Sequence, residues 1–264
     1  IEEHVYFSSK HQSGAPSQDN PMGGRLTDSR VNRVSVLWDN TLSYDKSFGF
    51  GLNIGAMLGH SVQIYESSSA AQTGLGFPSS SFDVNSVAAS VTNVTSGKSS
   101  YALQSFFGRL NLNYRNRYVG TVTVRADGSS KFAPENRWGY FPSASLGWNI
   151  NEENWWKNKA ITLKLRASIG ATGNQGGIGS YAYQALASGG INYGGENGLG
   201  LTTAGNRDLK WEVATQTNIG VDASFWRGAL SASVDLFNKD TDNLLYNKPT
   251  MITTGYTTQL CNIG

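Results

Sequence analysis

Val124–Trp148 reads VRADGSSKFAPENRWGYFPSASLGW, two runs of alternating residues around a loop of glycine, serine, proline and charge. In the first run Tyr118, Gly120, Val122, Val124 and Ala126 share one face, and Thr121, Thr123, Arg125 and Asp127 share the other. In the second, Tyr140, Pro142, Ala144, Leu146, Trp148 and Ile150 alternate with Ser143, Ser145, Gly147 and Asn149. A period of two marks strands with one apolar and one polar face. The fold then turns on which solvent meets the apolar side.

Outward from this stretch the alternation recurs over about Val31–Tyr44, Phe48–Tyr65, Ser100–Tyr114, Ile161–Thr172, Leu209–Phe225 and Ala229–Tyr246. Partial strands are expected at His4–Phe7 and Thr257–Gly264, so the chain reads as a fragment that starts and stops within strands. Short connections (45–47, 115–117, 151–159, 226–228) alternate with longer ones (8–24, 66–98, 128–138, 173–208, 247–256). Outer-membrane barrels sort their connections this way, with short periplasmic turns and longer extracellular loops. Several runs also exceed the ~5–6 residues usual for soluble strands.

Charge parity points the same way. Arg33, Asp39, Arg109, Arg125, Asp127, Lys164, Arg166, Glu212, Asp222, Asp235 and Lys239 fall on polar faces. The apolar faces are read as free of charge, with His60 and polar residues such as Asn40, Gln104, Thr215 and Thr217 as the exceptions. A lipid-facing Lys or Arg near the bilayer midplane costs about 2–4 kcal/mol, which accounts for the exclusion. Tyr44, Phe48, Tyr114, Tyr118 and Phe225 at the short turns, and Trp138, Tyr140 and Trp211 at the opposite ends, are positioned for two interfacial girdles.

Composition bounds the alternatives. In 264 residues, 21 Lys+Arg face 19 Asp+Glu, too near neutrality for a nucleic-acid partner. No run of about 18 apolar residues exists, so no transmembrane helix is expected, whereas barrel strands hide their apolarity by alternation. Cys261 is the one cysteine, which excludes an internal disulfide framework and a multi-cysteine metal site.

Few residues suggest chemistry. Gly49-Phe50-Gly51 with Gly55 lacks a following helix, and its glycines, with Gly59, are read as making room in the lumen for a plug or substrate. His4, His11 and His60 have neither metal spacing nor a nucleophile partner. Asp240, Asp242 and Asn243 lack the glycine and terminal glutamate of a calcium loop. No catalytic residue, cofactor or metal is assigned, and an enzyme is not expected. Asp127-Gly128-Ser129-Ser130 is read as turn architecture, with Arg125 and Arg137 able to bridge to carboxylates.

The chain resembles the SusC/RagA-type TonB-dependent transporters of the Bacteroidetes outer membrane. Arg125–Phe132, Asn136–Ser143, Gly147-Trp148, Leu165–Ser168 and Gly173-Asn174-Gln175 carry the likeness, with Asp208–Glu212, Gln216–Asp222 and Thr254-Gly255-Tyr256. Arg207 replaces a usual proline and Ala133 a common glycine. The resemblance covers the chain from about Ser100 onward. Gly128, Ser129, Ser130, Arg137, Trp138, Gly173, Asn174, Gln175 and Trp211 are the motif positions, expected to be architectural.

The resemblance implies an all-β fold: an antiparallel transmembrane β-barrel, incomplete here, with about ten strands of about 22. Residues 1–264 would be part of the barrel domain, with the plug and amino-terminal parts absent. The implied function is import of oligosaccharide or peptide across a Gram-negative outer membrane, with a SusD-like lipoprotein and with TonB acting through the missing part. Arg109, Arg125, Asp127, Lys164, Arg166, Glu212, Asp222 and Asp235 are expected to face the lumen and plug. A siderophore or cobalamin receptor, a passive porin and a β-rich adhesin remain the alternatives.

Overall fold

The computed structural model describes residues 2–12 and 24–264, apart from 80, 159 and 197. The expected loop 8–24 therefore lies largely outside the described residues, as do the side chains of His4 and His11. Thirteen strands form among the described residues. They are β1 (Glu2–Gln12), β2 (Arg25–Phe48), β3 (Leu52–Leu75), β4 (Ser90–Tyr114), β5 (Tyr118–Ser129), β6 (Trp138–Asn149) and β7 (Thr162–Asn174), followed by β8 (Leu186–Gly189), β9 (Leu199–Thr203), β10 (Glu212–Phe225), β11 (Leu230–Asp242), β12 (Leu244–Pro249) and β13 (Thr258–Ile263). Contacts divide the chain into two compact units: Ile1–Trp38 with Gln63–Ala102, and Asp39–Val62 with Leu103–Gly264.

In the first unit the strand order is β1-β2-β3-β4. β1 and β2 pair antiparallel from Glu2 opposite Ser35 to Gln12 opposite Arg25. Here the expectation of a long polar loop over 66–98 is wrong. β3 runs on to Leu75 and β4 starts at Ser90, leaving 76–89 as the connection. Thr27 and Thr73 share a hydrogen bond of 3.1 Å, Tyr65 stacks on Tyr101, and Asn85 donates to Asp28 at 3.0 Å. Cross-strand bonding of this kind holds a polar strand that alternation cannot reveal.

The second unit orders its strands β2-β3-β4-β5-β6-β7-β10-β11, with each neighbouring pair antiparallel from β4 onward. The register keeps like faces together: Ala126 stands opposite Phe106 and Tyr140, Val122 opposite Leu110 and Ala144, and Ile219 opposite Ala167 and Leu236. The turn expected at 45–47 lies inside β2. The chain reverses instead at Gly49-Phe50-Gly51, where the Gly51 N–H donates to the Phe48 carbonyl and φ is +93°. The strand expected over 229–246 breaks at Asn243, whose φ of 55° sends β12 away to pair with β13. The loop expected over 173–208 contains the β8–β9 hairpin. Loop sorting has one exception: the chain needs 150–161 between β6 and β7 but only 130–137 between β5 and β6, because both flanking strands extend into the predicted loop.

The apolar register is open to solvent as a broad band, with Leu146 71% and Leu236 72% exposed. A patch this continuous has no place on a soluble monomer. The expectation of a wholly uncharged register needs correction, because Asp28, Arg30, Lys46, Glu66, Lys98, Asp240 and Asp242 occupy it by alternation. They lie outside the central stretch: β2 is clear from Asn32 to Tyr44, β3 from Leu52 to Ile64 and β11 from Leu230 to Asn238. Those stretches are about 9–13 residues, close to the ~9–11 that a tilted strand needs to cross a bilayer. His60 and Gln104, two of the polar residues within this band, are hydrogen-bonded to each other at 3.1 Å, and His60 packs on Phe106.

Candidate functional site

Strand pairing places Arg109, Arg125, Asp127, Lys164, Arg166, Glu212, Asp222 and Asp235 on one face of the second unit's sheet, opposite the apolar band. They form two clusters and several single positions. In the larger cluster Arg166 donates from Nε and Nη2 to the two Asp222 oxygens at 2.7 and 2.9 Å, and reaches Asp235 at 3.0 Å. Ser233 donates to Asp222 at 2.8 Å. Gly220 stands opposite both Arg166 and Asp235, and a Cβ there would collide with the Asp235 carboxylate and lie 3.0 Å from the guanidinium carbon. Its missing side chain is what lets one arginine span three strands.

In the smaller cluster Arg125 Nε donates to both Asp127 oxygens at 2.7 and 2.8 Å, and Nη2 donates to Ser105 at 2.9 Å. Its guanidinium also lies over the Phe107 ring. Lys164 stands opposite Asn149 and Asp222, and Arg109 opposite Thr123. Asp127 is buried, whereas the exposed Arg166 pairs contribute only about 0–1 kcal/mol each, so their value lies in fixing charge on the face rather than in stability. Among the described residues no group of three or more His, Cys, Asp or Glu side chains could hold a metal ion.

Several glycines of the polar face make room for side chains of neighbouring strands. A Cβ on Gly59 would strike the Phe107 ring, and one on Gly55 would sit 2.6 Å from the Asp45 carboxylate. The Phe141 ring likewise covers Gly139 and Gly173. Aromatic side chains laid over glycines in the next strand are a recurrent way of pinning register in curved sheets.

At the long-loop end the motif residues assemble a small core that sequence reasoning did not find. Phe132, Phe141, Ile178, Leu209 and Trp211 are buried together, with Leu103, Leu245 and Leu260 packed against them. Trp211 is only 6% exposed and donates from Nε1 to the Arg137 carbonyl at 3.0 Å, which corrects its placement in an outer girdle. β10 begins one residue later, so Trp211 is freed from the strand alternation and turns onto Phe132. Trp138 and Tyr140 do remain on the apolar register, and Trp138 stacks on Phe106. Phe141 was the missed signal, an aromatic on a polar register between Gly139 and Ser143.

Each remaining motif position has a defined place at this rim. A Cβ on Gly128 would lie 2.9 Å from the Trp138 indole. The buried Ser129 hydroxyl accepts from the Lys131 N–H, Ser130 opens the loop, and the Ser129 N–H donates to the Arg137 carbonyl. Asn174 donates to Glu212 at 2.9 Å and accepts from the Gly176 N–H, while Glu212 also accepts from the Leu245 N–H. Gln175 Oε1 and Arg137 Nε are buried without hydrogen-bond partners, and among the described residues Arg137 makes no ion pair, unlike the bridge expected of it. Arg207 instead reaches Glu135 at 3.1 Å and holds its carboxyl below the usual range.

At the short-turn end one carboxylate ties two girdle aromatics together. Glu153 accepts from the Tyr118 hydroxyl at 2.7 Å and the Trp148 indole at 3.1 Å, and pairs with Arg117 at 3.4 Å. The Tyr118 hydrogen bond, then that of Trp148, then the Arg117 charge hold the Glu153 carboxyl below its ordinary value. A depressed carboxyl stabilises the fold above its unfolded pKa, and that contribution is lost as pH falls through the lower folded value. The barrel's melting temperature is therefore expected to drop with acid from about pH 4 downward. Glu153→Gln, which can still accept both hydrogen bonds, is expected to flatten that dependence relative to the parent. Parallel pH profiles for the two would refute the assignment.

Residues 4–264 match a family described as TonB dependent receptor-like, beta-barrel. TonB-dependent receptor P39 of Formosa agariphila is 35% identical over 240 residues, covering 88% of this chain and 23% of its own length. TonB-dependent receptor SusC of Bacteroides thetaiotaomicron is 41% identical over 172 residues, covering 61% of this chain and 17% of its own. Among solved structures, the RagAB peptide transporter superposes with a TM-score of 0.88 at 29% identity, over 99% of this chain and 29% of that one. The chain thus spans about a quarter of the length of the curated relatives it matches.

Proposed function

We propose that this chain, which belongs to the TonB dependent receptor-like β-barrel family, supplies part of the wall and several extracellular loops of an outer-membrane importer of glycans or peptides. The observation that carries the reading is the division of one sheet into a central charge-free band and an opposite face that gathers charges, the eight expected lumen positions among them. The band lies in lipid and the charged face meets the plug and the passing substrate. The plug and the segment that engages TonB belong to parts of the receptor outside residues 1–264. The chain has no catalytic role.

The extracellular partner is a SusD-like surface lipoprotein. The connection 76–89 and the stretch 175–211 are assigned to that contact and to substrate. The β8–β9 hairpin supports this, since Tyr193 is 90% and Leu199 80% exposed, an apolar tip of the kind that interfaces cover. Likeness to the RagAB peptide transporter supports peptide as a substrate class, and the resemblance to SusC/RagA-type transporters adds oligosaccharide.

The test is uptake of labelled oligosaccharide and labelled peptide by cells carrying the full-length receptor. Replacing Lys164 and Arg166 by alanine removes both cations facing Asp222 and frees two carboxylates on the charged face. Uptake is expected to fall while insertion and heat-modifiable migration persist. Unchanged uptake at limiting substrate would count against a role for this face.

A further inference from the structure

The apolar face of the second unit is not uniform. A groove of about 600 Å³ opens at its short-turn end, walled by Tyr114, Tyr118, Leu146 and Trp148. Its floor is Gly120 and Ala167, small residues on either side of Leu146 in one cross-strand row. Neighbouring strands carry large side chains at equivalent depth, so the depression follows from these two small residues. Tyr118 and Trp148 stack on each other and are fixed at their polar tips by Glu153, so that wall is preorganised.

A cation stands at the edge of the groove. The Arg115 guanidinium lies 5.2 Å from the centroid of the Tyr114 ring, and its Nε donates to the Phe50 carbonyl at 3.3 Å. The positive φ of Arg115 in the 115–117 turn directs it over that ring, and Gly51 leaves room for its side chain. Among the described residues Arg115 has no carboxylate partner, whereas the nearby Arg117 is engaged by Glu153 and Asn154.

We infer that this groove and Arg115 form a seat for one phospholipid of the inner leaflet, with an acyl chain over Gly120 and Ala167 and the headgroup phosphate on Arg115. The chemistry fits in both parts. An aromatic-walled apolar channel within the lipid-facing band excludes polar ligands, and a guanidinium at its mouth presents forked donors suited to phosphate oxygens. The inference rests on the outer-membrane reading given above.

The test is native mass spectrometry of the full-length receptor in mild detergent, titrated with phosphatidylethanolamine and phosphatidylglycerol. The parent is expected to retain one phospholipid. Arg115→Gln should weaken that adduct about tenfold, the loss of a charge-assisted hydrogen bond. Ala167→Leu, which fills the floor, should weaken it similarly. Arg227→Gln, at a different short turn, should leave it intact. Equal losses in the Arg115 and Arg227 variants, or an adduct indifferent to Ala167→Leu, would reduce the seat to ordinary annular lipid and overturn the inference. Heat-modifiable migration on the same samples separates the two readings: its absence in the parent overturns the barrel reading and the seat with it, whereas its presence with an unselective adduct overturns the seat alone.

Discussion

Trp211→Ala is expected to destabilise the long-loop end by about 3–5 kcal/mol, the range for deleting a buried tryptophan. The indole lies 4.9 Å from the Phe132 ring centroid and 5.5 Å from that of Phe141, the latter edge-on. Aromatic pairs in such geometries add about 0.5–1.5 kcal/mol beyond the area they bury. Truncation also leaves the Arg137 carbonyl without its indole donor and removes the surface under Ile178 and Leu209. The consequence is specific to place. Leu245 and Leu260 of the β12–β13 hairpin rest on the same cluster, so the hairpin and the 175–211 stretch should become sensitive to added protease while the lipid-facing strands stay folded. Trp155→Ala supplies the comparison, since Trp155 is 60% exposed in the 150–161 connection and should change stability by about 0.5 kcal/mol or less. Similar effects of the two substitutions on melting and on loop cleavage would show that the rim has no core.

The strands in this protein were readable wherever one face met lipid, and for a physical reason. Within the central band the two environments differ so strongly that alternation is enforced, and Tyr118–Asp127 or Thr162–Thr172 can be placed from composition alone. Beyond the band both faces meet water and the enforcement ends. Glu66-Ser67-Ser68-Ser69 therefore reads as a loop although β3 continues through it to Leu75. There the strand is held by backbone pairing and by contacts such as Thr27 with Thr73, which no single segment encodes.

The polar face was legible as a set of charges but not as a set of partners. Which carboxylates Arg166 reaches depends on Gly220, which stands between it and Asp235 on the intervening strand, and a glycine gives no hint of what crosses it. The rim core was hidden more deeply. Its five members come from three parts of the chain, and four of them, Phe132, Ile178, Leu209 and Trp211, lie in connections, where no period exists to be read. Phe141 alone carried a signal, as an aromatic on the wrong face, and Gly139 and Gly173 beside it marked the space its ring would take. Family motifs flagged all of these positions but Ile178 without saying that they touch.

The face assignment itself predicts opposite results from two adjacent substitutions on β6. Ala144 stands opposite Val122 and Ile169, at mid-band on the apolar register. Arginine there would sit in hydrocarbon, at a cost of about 2–4 kcal/mol near the midplane. Ser145, the next residue, stands opposite Thr121 and Ser168 on the charged face, where an added arginine remains in a polar environment. In the full-length receptor, Ala144→Arg is therefore expected to lower the yield of heat-modifiable, membrane-inserted protein several-fold, while Ser145→Arg inserts like the parent. The pair differs by one position in sequence and by nothing in charge added, so general effects of arginine on expression or translation cancel between them. A soluble sandwich with its core on the apolar side would also reject Ala144→Arg, but it would yield aggregated protein and a detergent-independent parent. Equal insertion of both variants would remove lipid from the apolar face and with it the reading of this sheet as a barrel wall.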